Sequence, residues 1–169
     1  GQLAYFAILM KAGKYNRSIL NGETRPNVFA ILDSEFMDDD FITYVAGNDS
    51  NINKELNILR TLFKDSKEFG SILNIPEMNF GAIYERIDTI KHSFEEEKNQ
   101  LIYQTMAIER LFPLVKQAEI MAQKYDVVVT NPPYMGGSGM SKKLGEFVKK
   151  HYPDSKSDLF AIFIERCSD

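Results

Sequence analysis

The residues best suited to chemistry are Asn131, Pro132, Pro133 and Tyr134, which follow Val127, Val128, Val129 and Thr130 without a break. Two successive prolines fix φ at both positions and remove two backbone donors, so the chain is stiff where it leaves the valine run. Asn131 offers an amide oxygen, the proline carbonyls have no competing N–H beside them, and Tyr134 supplies an aromatic face. Two acceptors in a rigid frame next to a stacking ring suit a flat heterocycle that carries an amino group, such as adenine. The plainer alternative is a proline turn with no ligand.

Gly136, Gly137, Ser138 and Gly139 come next. Strand, glycines and helix also outline a dinucleotide or phosphate loop. That motif would need a glycine at position 142, where Lys142 stands, and no Walker spacing ends in Gly-Lys-Ser/Thr. A loop over the base pocket is the better reading, with Gly136 and Gly137 on the substrate side.

These residues need elements to hold them. Three consecutive valines predict a central parallel strand over 126–130, buried on both faces. The carboxyl end of such a strand is where open α/β sheets bind ligands. A second buried strand is predicted over 27–32, after Pro26, from its length and apolar content. Asp33 leaves the carboxyl end of that run, a position open to cofactor contact. It heads an acidic stretch with Glu35, Asp38, Asp39 and Asp40 that otherwise reads as a solvated loop.

Residues 3–12, LAYFAILMKA, predict a helix covered on most sides. Leu56, Leu59, Leu62, Phe63 and Phe69 mark one amphipathic helix ending near Gly70, and Ile83, Ile87, Ile90 and Phe94 lie on a long helix over about 80–110. Pro113 should break or kink that long helix and bias Phe112 away from helical angles. Helices over about 141–150 and from 157 onward complete the chain, with Ser157 or Asp158 as cap of the last.

Composition sets the limits. Of 169 residues, 44% are hydrophobic and 26% charged, as in an ordinary globular domain. The net charge of −4 excludes a protein that coats nucleic acid with its whole surface, so any such contact is local. Cys167 alone cannot form an internal disulfide, which makes a reducing cytoplasm the default location. With His92 and His151 it supplies too few ligands for the usual zinc site, and no metal is expected. The longest apolar run, 4–10, is too short to span a bilayer, so no membrane partner is expected.

The segment DVVVTNPPY resembles motif IV of the amino-methylating DNA methyltransferases. Together with LAYFAILMKA, RPNVFAIL, AEIMAQKYDVVVTNPPYMGGSGM and SDLFAIFIERC, it resembles the PglX adenine-specific methyltransferases of BREX phage-defence systems. The resemblance implies a partial Rossmann-like α/β fold that uses S-adenosylmethionine, mostly helical by residue count. It divides into core at 1–33, a helical insertion at 34–124, and core with the catalytic motif at 125–169. It also implies a target adenine flipped out of double-stranded DNA, and other phage-defence proteins as partners. Asn131 and the Pro132 carbonyl would accept from the adenine amino group, Pro133 would stiffen the frame, and Tyr134 would stack on the base.

From Gly136 to Ser157, Lys142, Lys143, Lys149, Lys150 and Lys156 outnumber Glu146 and Asp154. They read either as a solvated helix face or as phosphate contacts, with Lys142 and Lys143 nearest the pocket. Asp158 and Phe160 match the family's DLFxxF-like segment, and read equally as a helix cap and a core aromatic.

The sequence also departs from the family pattern. The glycine-rich cofactor loop and the ribose-binding acid are absent, so the chain is expected to be a fragment of a larger protein, inactive alone. Strands at 27–32 and 126–130 would not be neighbours in the family's sheet order, and would keep open apolar edges. Two other classes stay open: the methyltransferase part of a combined restriction-modification endonuclease, and a helical protein-interaction module built on 50–124.

Overall fold

The computed structural model describes residues 2–22, 25–95 and 97–168. The chain divides into two compact units, Gly1–Ile31 and Leu32–Asp169.

In the first unit, α1 (Gln2–Gly13) forms as its run of helix formers predicts, yet none of its residues is buried. Leu3 and Phe6 are 86% and 62% exposed. A 3-10 turn over Arg17–Asn21 follows, capped by Asn16, whose side chain accepts from the Ser18 N–H at 3.0 Å. Leu20 packs against Gly13, where a Cβ would stand 3.1 Å from a Leu20 methyl carbon.

Residues 27–32 do not form the expected strand. An apolar run becomes a strand only when neighbouring backbone takes up its N–H and C=O groups. Among the described residues no neighbouring strand is available. At Leu32, the first residue of the second unit, side chains take that part. Its N–H donates to Gln117 Oε1 at 2.9 Å, and its carbonyl accepts from the Ser66 hydroxyl.

The second unit is helical. α2 (Asp39–Ala46) is capped by Asp38, which accepts from the Phe41 N–H at 2.7 Å. α3 (Ser50–Phe63) is capped by Asp49, which serves both the Asn51 and Ile52 N–H groups. The helix predicted to run on to Gly70 instead breaks at Lys64 and Asp65, and resumes as α4 (Ser66–Phe69).

α5 (Phe80–His92) also ends early. Ser93 leaves the helix with φ −74° and ψ 150°, and Gln104 donates to the carbonyls of Ile90 and Ser93 at 2.7 and 3.0 Å. A side chain of α6 (Lys98–Met106) thus satisfies the end of α5, and the single long helix becomes two. A π turn over Ala107–Leu111 joins α6 to α7 (Phe112–Ala122). Pro113 does not push Phe112 out of helical space, since Phe112 keeps φ −55° and ψ −48°. The missing proline donor is met by a wider turn instead, with the Phe112 N–H donating to the Ala107 carbonyl.

Two apolar clusters arise from these faces. The larger is built on Phe41, Leu56, Leu59, Phe63, Ile83 and Leu114, all fully buried. The smaller gathers Ile72 with Leu144 and Val148 of α8 (Lys142–His151), Tyr152 just after it, and Leu159 and Ile162 of α9 (Leu159–Ser168). Among the described residues no helix is long and apolar enough to cross a membrane.

Candidate functional site

Residues 127–135 belong to neither helix nor strand, so the second predicted strand is also absent. The cause is the same as at 27–32. Val127 and Val129 are 77% and 90% exposed, apolar side chains with no sheet around them. The expectation of a central strand buried on both faces is corrected accordingly.

The proline frame is nonetheless anchored. Pro132 is buried, while Asn131, Pro133 and Tyr134 are exposed, Tyr134 at 90%. Immediately after them, the backbone pairs with the entry to α9. The Leu159 N–H donates to the Met135 carbonyl at 3.0 Å, and the Gly137 N–H to the Ser157 carbonyl at 2.8 Å. Gly136 and Asp158 form an isolated antiparallel bridge. Gly137 to Gly139 then make a tight 3-10 turn, in which the Gly139 N–H donates to the Gly136 carbonyl at 2.9 Å. Two of the loop's amides are therefore bonded within the protein and are not free to cradle a phosphate.

The helices hold the next segment from the other side. Ser141 caps α8 by accepting from the Leu144 N–H at 3.1 Å, and its hydroxyl donates to the Glu68 carboxylate on α4. Lys143 Nζ donates to Asp65 Oδ1 at 2.7 Å, an ion pair that raises the lysine's pKa. Phe147 stacks on Phe69 at 4.2 Å and on His151 at 4.5 Å. Burial pushes the His151 pKa down, with the Lys150 charge adding to it. The Tyr152 hydroxyl donates to the Ile72 carbonyl. Arg166 on α9 donates to the carbonyls of Leu73 and Met121 at 3.4 and 3.2 Å.

Tyr134, Gly136, Asp158, Phe160 and Ala161 line one open recess of about 580 Å³. Two of the sequence-predicted residues, Tyr134 and Gly136, therefore meet here. Lys142 and Lys143 do not line it. Lys143 is committed to Asp65, whereas Lys142 is exposed and makes no ion pair among the described residues. Asp33 lies elsewhere too, ion-paired with Lys67 and accepting from the Glu35 N–H at 3.3 Å. The Lys67 hydrogen bond holds its carboxyl below the usual carboxylate range.

Asp158 caps α9 as expected, accepting from the Phe160 N–H at 2.7 Å. Phe160 is not a core aromatic: it is 50% exposed at the recess. Asp65, Glu68 and Arg166 are supports that no local sequence pattern indicates, because their partners lie far away in the chain.

The Asn-Pro-Pro-Tyr segment is thus displayed at the surface and followed by backbone pinned to the start of α9. The family model described as Eco57I restriction-modification methylase matches residues 2–169, and the chain belongs to that family. It is 37% identical to the adenine-specific methyltransferase BrxX of Escherichia coli O9:H4 (strain HS), over 97% of this chain and 15% of that protein. It is 34% identical to the adenine-specific methyltransferase PglX of Lacticaseibacillus casei (strain Zhang), over 98% of this chain and 14% of that protein. The chain thus spans about one-seventh of the length of these relatives.

The described residues do not fit a site for S-adenosylmethionine. Asp33, the one candidate for the adenosine side, is engaged by Lys67 and the Glu35 backbone, and glycine-loop amides are bonded to protein carbonyls.

Proposed function

We propose that this chain is the target-base part of an adenine-specific DNA methyltransferase acting in phage defence or restriction-modification. In the full-length protein, an adenine flipped out of the duplex enters beside Asn131–Tyr134. The Asn131 amide oxygen and the Pro132 carbonyl accept from its exocyclic amino group. This draws the nitrogen lone pair out of conjugation with the ring; the nitrogen would take the methyl group as the donor's sulfur–methyl bond breaks, and its surplus proton would then pass to water. Tyr134 stacks on the base and holds it in place.

Fixed acceptors aimed at the reacting nitrogen supply the rate enhancement, through positioning and electrostatics in place of a general base. The methyl donor, S-adenosylmethionine by the resemblance, is held by parts of the full-length protein outside this chain. A Rossmann-like sheet assembled there would turn 27–32 and 126–130 into strands. The parent works on DNA in the cytoplasm, with partners drawn from its defence system.

The observation that carries this reading is the exposed Tyr134 ring beside a proline frame pinned by the Met135–Leu159 and Gly137–Ser157 hydrogen bonds. Glu68 and Asp65, from the helices at 39–122, bind Ser141 and Lys143 at the start of α8, the segment that follows the frame, which favours a structural insertion over an independent interaction module. The test is Asn131→Ala in the full-length protein. Loss of one such preorganised contact costs roughly 3–4 kcal/mol of barrier, so methylation should fall by two to three orders of magnitude while S-adenosylmethionine binding persists. Methylation at an undiminished rate would refute the assignment.

A further inference from the structure

We propose that the outward face of α8, made by Lys142, Gly145 and Lys149, seats the sugar–phosphate backbone of the DNA and grips it without reading its sequence. This rests on the target-base reading above for the identity of the nucleic acid. It gives α8 a part that that reading leaves unassigned.

The rotation of the helix is the first observation. Leu144 and Val148 are buried in the smaller apolar cluster, which turns Lys142, Glu146, Lys149 and Lys150 to solvent. Lys142 and Lys149 are two helical turns apart, so they share a face and stand about 10 Å apart along the axis. Gly145 lies between them on that face, within helical neighbour spacing of both. Glu146 is turned about 100° round the helix from Gly145. The acids beside the start of α8 are already taken: Asp65 pairs with Lys143, and Glu68 accepts from Ser141. Among the described residues Lys142, Lys149 and Lys150 make no ion pair.

Two of the three seat residues are ones that the helix itself disfavours. A lysine in the first turn opposes the helix dipole, and no acidic residue stands in that turn to offset Lys142. Glycine is the poorest helix former after proline. Nothing in the chain requires it at 145, since its φ is not positive and a Cβ there would meet no atom within 4 Å. Bare backbone on a basic face lets a ligand approach closely. Helix stability therefore explains neither residue, and an anion lying along the face explains both.

The chemistry of the face selects the anion. α8 exposes no large apolar side chain, so it lacks the anchor that a protein partner would use. The whole chain carries a net charge of −4, so this basic face is a local feature. A span of about 10 Å matches three successive phosphates of one strand, at about 3.4 Å of rise each. The two lysines would hold the outer phosphates, with Gly145 against the middle one. Met135, directly after Tyr134, packs with Met140 on the cluster that holds Leu144 and Val148. The seat and the Asn131–Tyr134 frame thus share one base, and a phosphate gripped on α8 sets where the strand runs past the frame.

The test measures DNA affinity of the full-length protein over a series of salt concentrations. It uses two duplexes, one carrying the methylated site, once mapped, and one lacking it. Each phosphate contact contributes about 0.9 to the slope of log affinity against log salt. Lys142→Gln with Lys149→Gln should flatten that slope by about 1.8 on both duplexes, and weaken both about tenfold to hundredfold near 0.15 M salt. Lys54→Gln, which removes an exposed lysine of α3, should leave the slope as in the wild type. Gly145→Ala should melt at or above the wild-type temperature, because alanine is the better helix former, yet bind both duplexes several-fold more weakly. Gly145→Leu should bind more weakly still.

An unchanged slope in the lysine pair would overturn the seat, and so would full affinity in Gly145→Leu. An equal flattening in Lys54→Gln would overturn it too, by spreading the attraction over the whole surface. If the lysine pair kept the DNA slope but lost binding to polyglutamate, the face would belong to an acidic protein segment. The target-base reading fails separately, through undiminished methylation in Asn131→Ala, and the salt slopes decide the seat in either case.

Discussion

At the scale of single residues, type and position do different work. Asn131 and the two prolines suggest an acceptor frame through local chemistry alone: an amide oxygen, and two fixed φ angles in succession. Asp158 was legible as a cap for the same reason. Lys143 was not, because its partner Asp65 lies 78 residues away, and the partner decides whether a lysine faces DNA or the protein. Tyr134, 90% exposed, should act through its ring face. Tyr134→Ala in the full-length protein should weaken retention of the flipped base by about 1–3 kcal/mol, and Tyr134→Phe should be nearly silent. Methylation kinetics on one duplex distinguish the two. An equal loss in both variants would assign the work to the hydroxyl.

At the scale of elements, the helices were legible and the strands were not formed. Leu56, Leu59 and Phe63 repeat at the helical period, and each is fully buried in α3. A helix closes its own hydrogen bonds, so a periodic run specifies it almost alone. A strand depends on neighbours, and among the described residues neither the valines of 127–129 nor the run 27–32 has a sheet to join. Helix ends were the least legible, since Gln104 terminates α5 from the following helix.

The turn after α2 shows how tightly such ends are set. Gly47 has φ +56°, and a Cβ there would stand 3.2 Å from an Arg86 guanidinium nitrogen. That guanidinium satisfies the end of α2, with Arg86 Nε donating to the Val45 carbonyl at 2.6 Å. Gly47→Ala should therefore destabilise the protein by about 1–3 kcal/mol. In thermal melting that is a drop of several degrees, roughly 2–4 °C per kcal/mol for a unit of this size. An unchanged midpoint would show that the turn relaxes without strain.

At the scale of the whole molecule, the chain holds a well-packed helical unit and apolar surface that has no cover. α1 exposes Leu3 and Phe6, and 127–129 expose three valines. The family match runs through both. With no fitted adenosine site, the chain alone should bind S-adenosylmethionine weakly or not at all, and its bare apolar runs should promote self-association. Titration calorimetry on the purified chain checks the first expectation. Micromolar or tighter binding would mean that a donor site lies within it, with the Gly136–Gly139 turn as the first place to search.

The central claim is that Asn131–Tyr134 receive an adenine and direct methylation to its amino nitrogen. The most direct measurement is nucleoside mass spectrometry of DNA from cells that express the full-length protein, beside cells that express its Asn131→Ala variant. The account predicts N6-methyldeoxyadenosine in the first and its loss in the second. Methylated cytosine in place of methylated adenine, or equal N6-methyldeoxyadenosine in both, would contradict it.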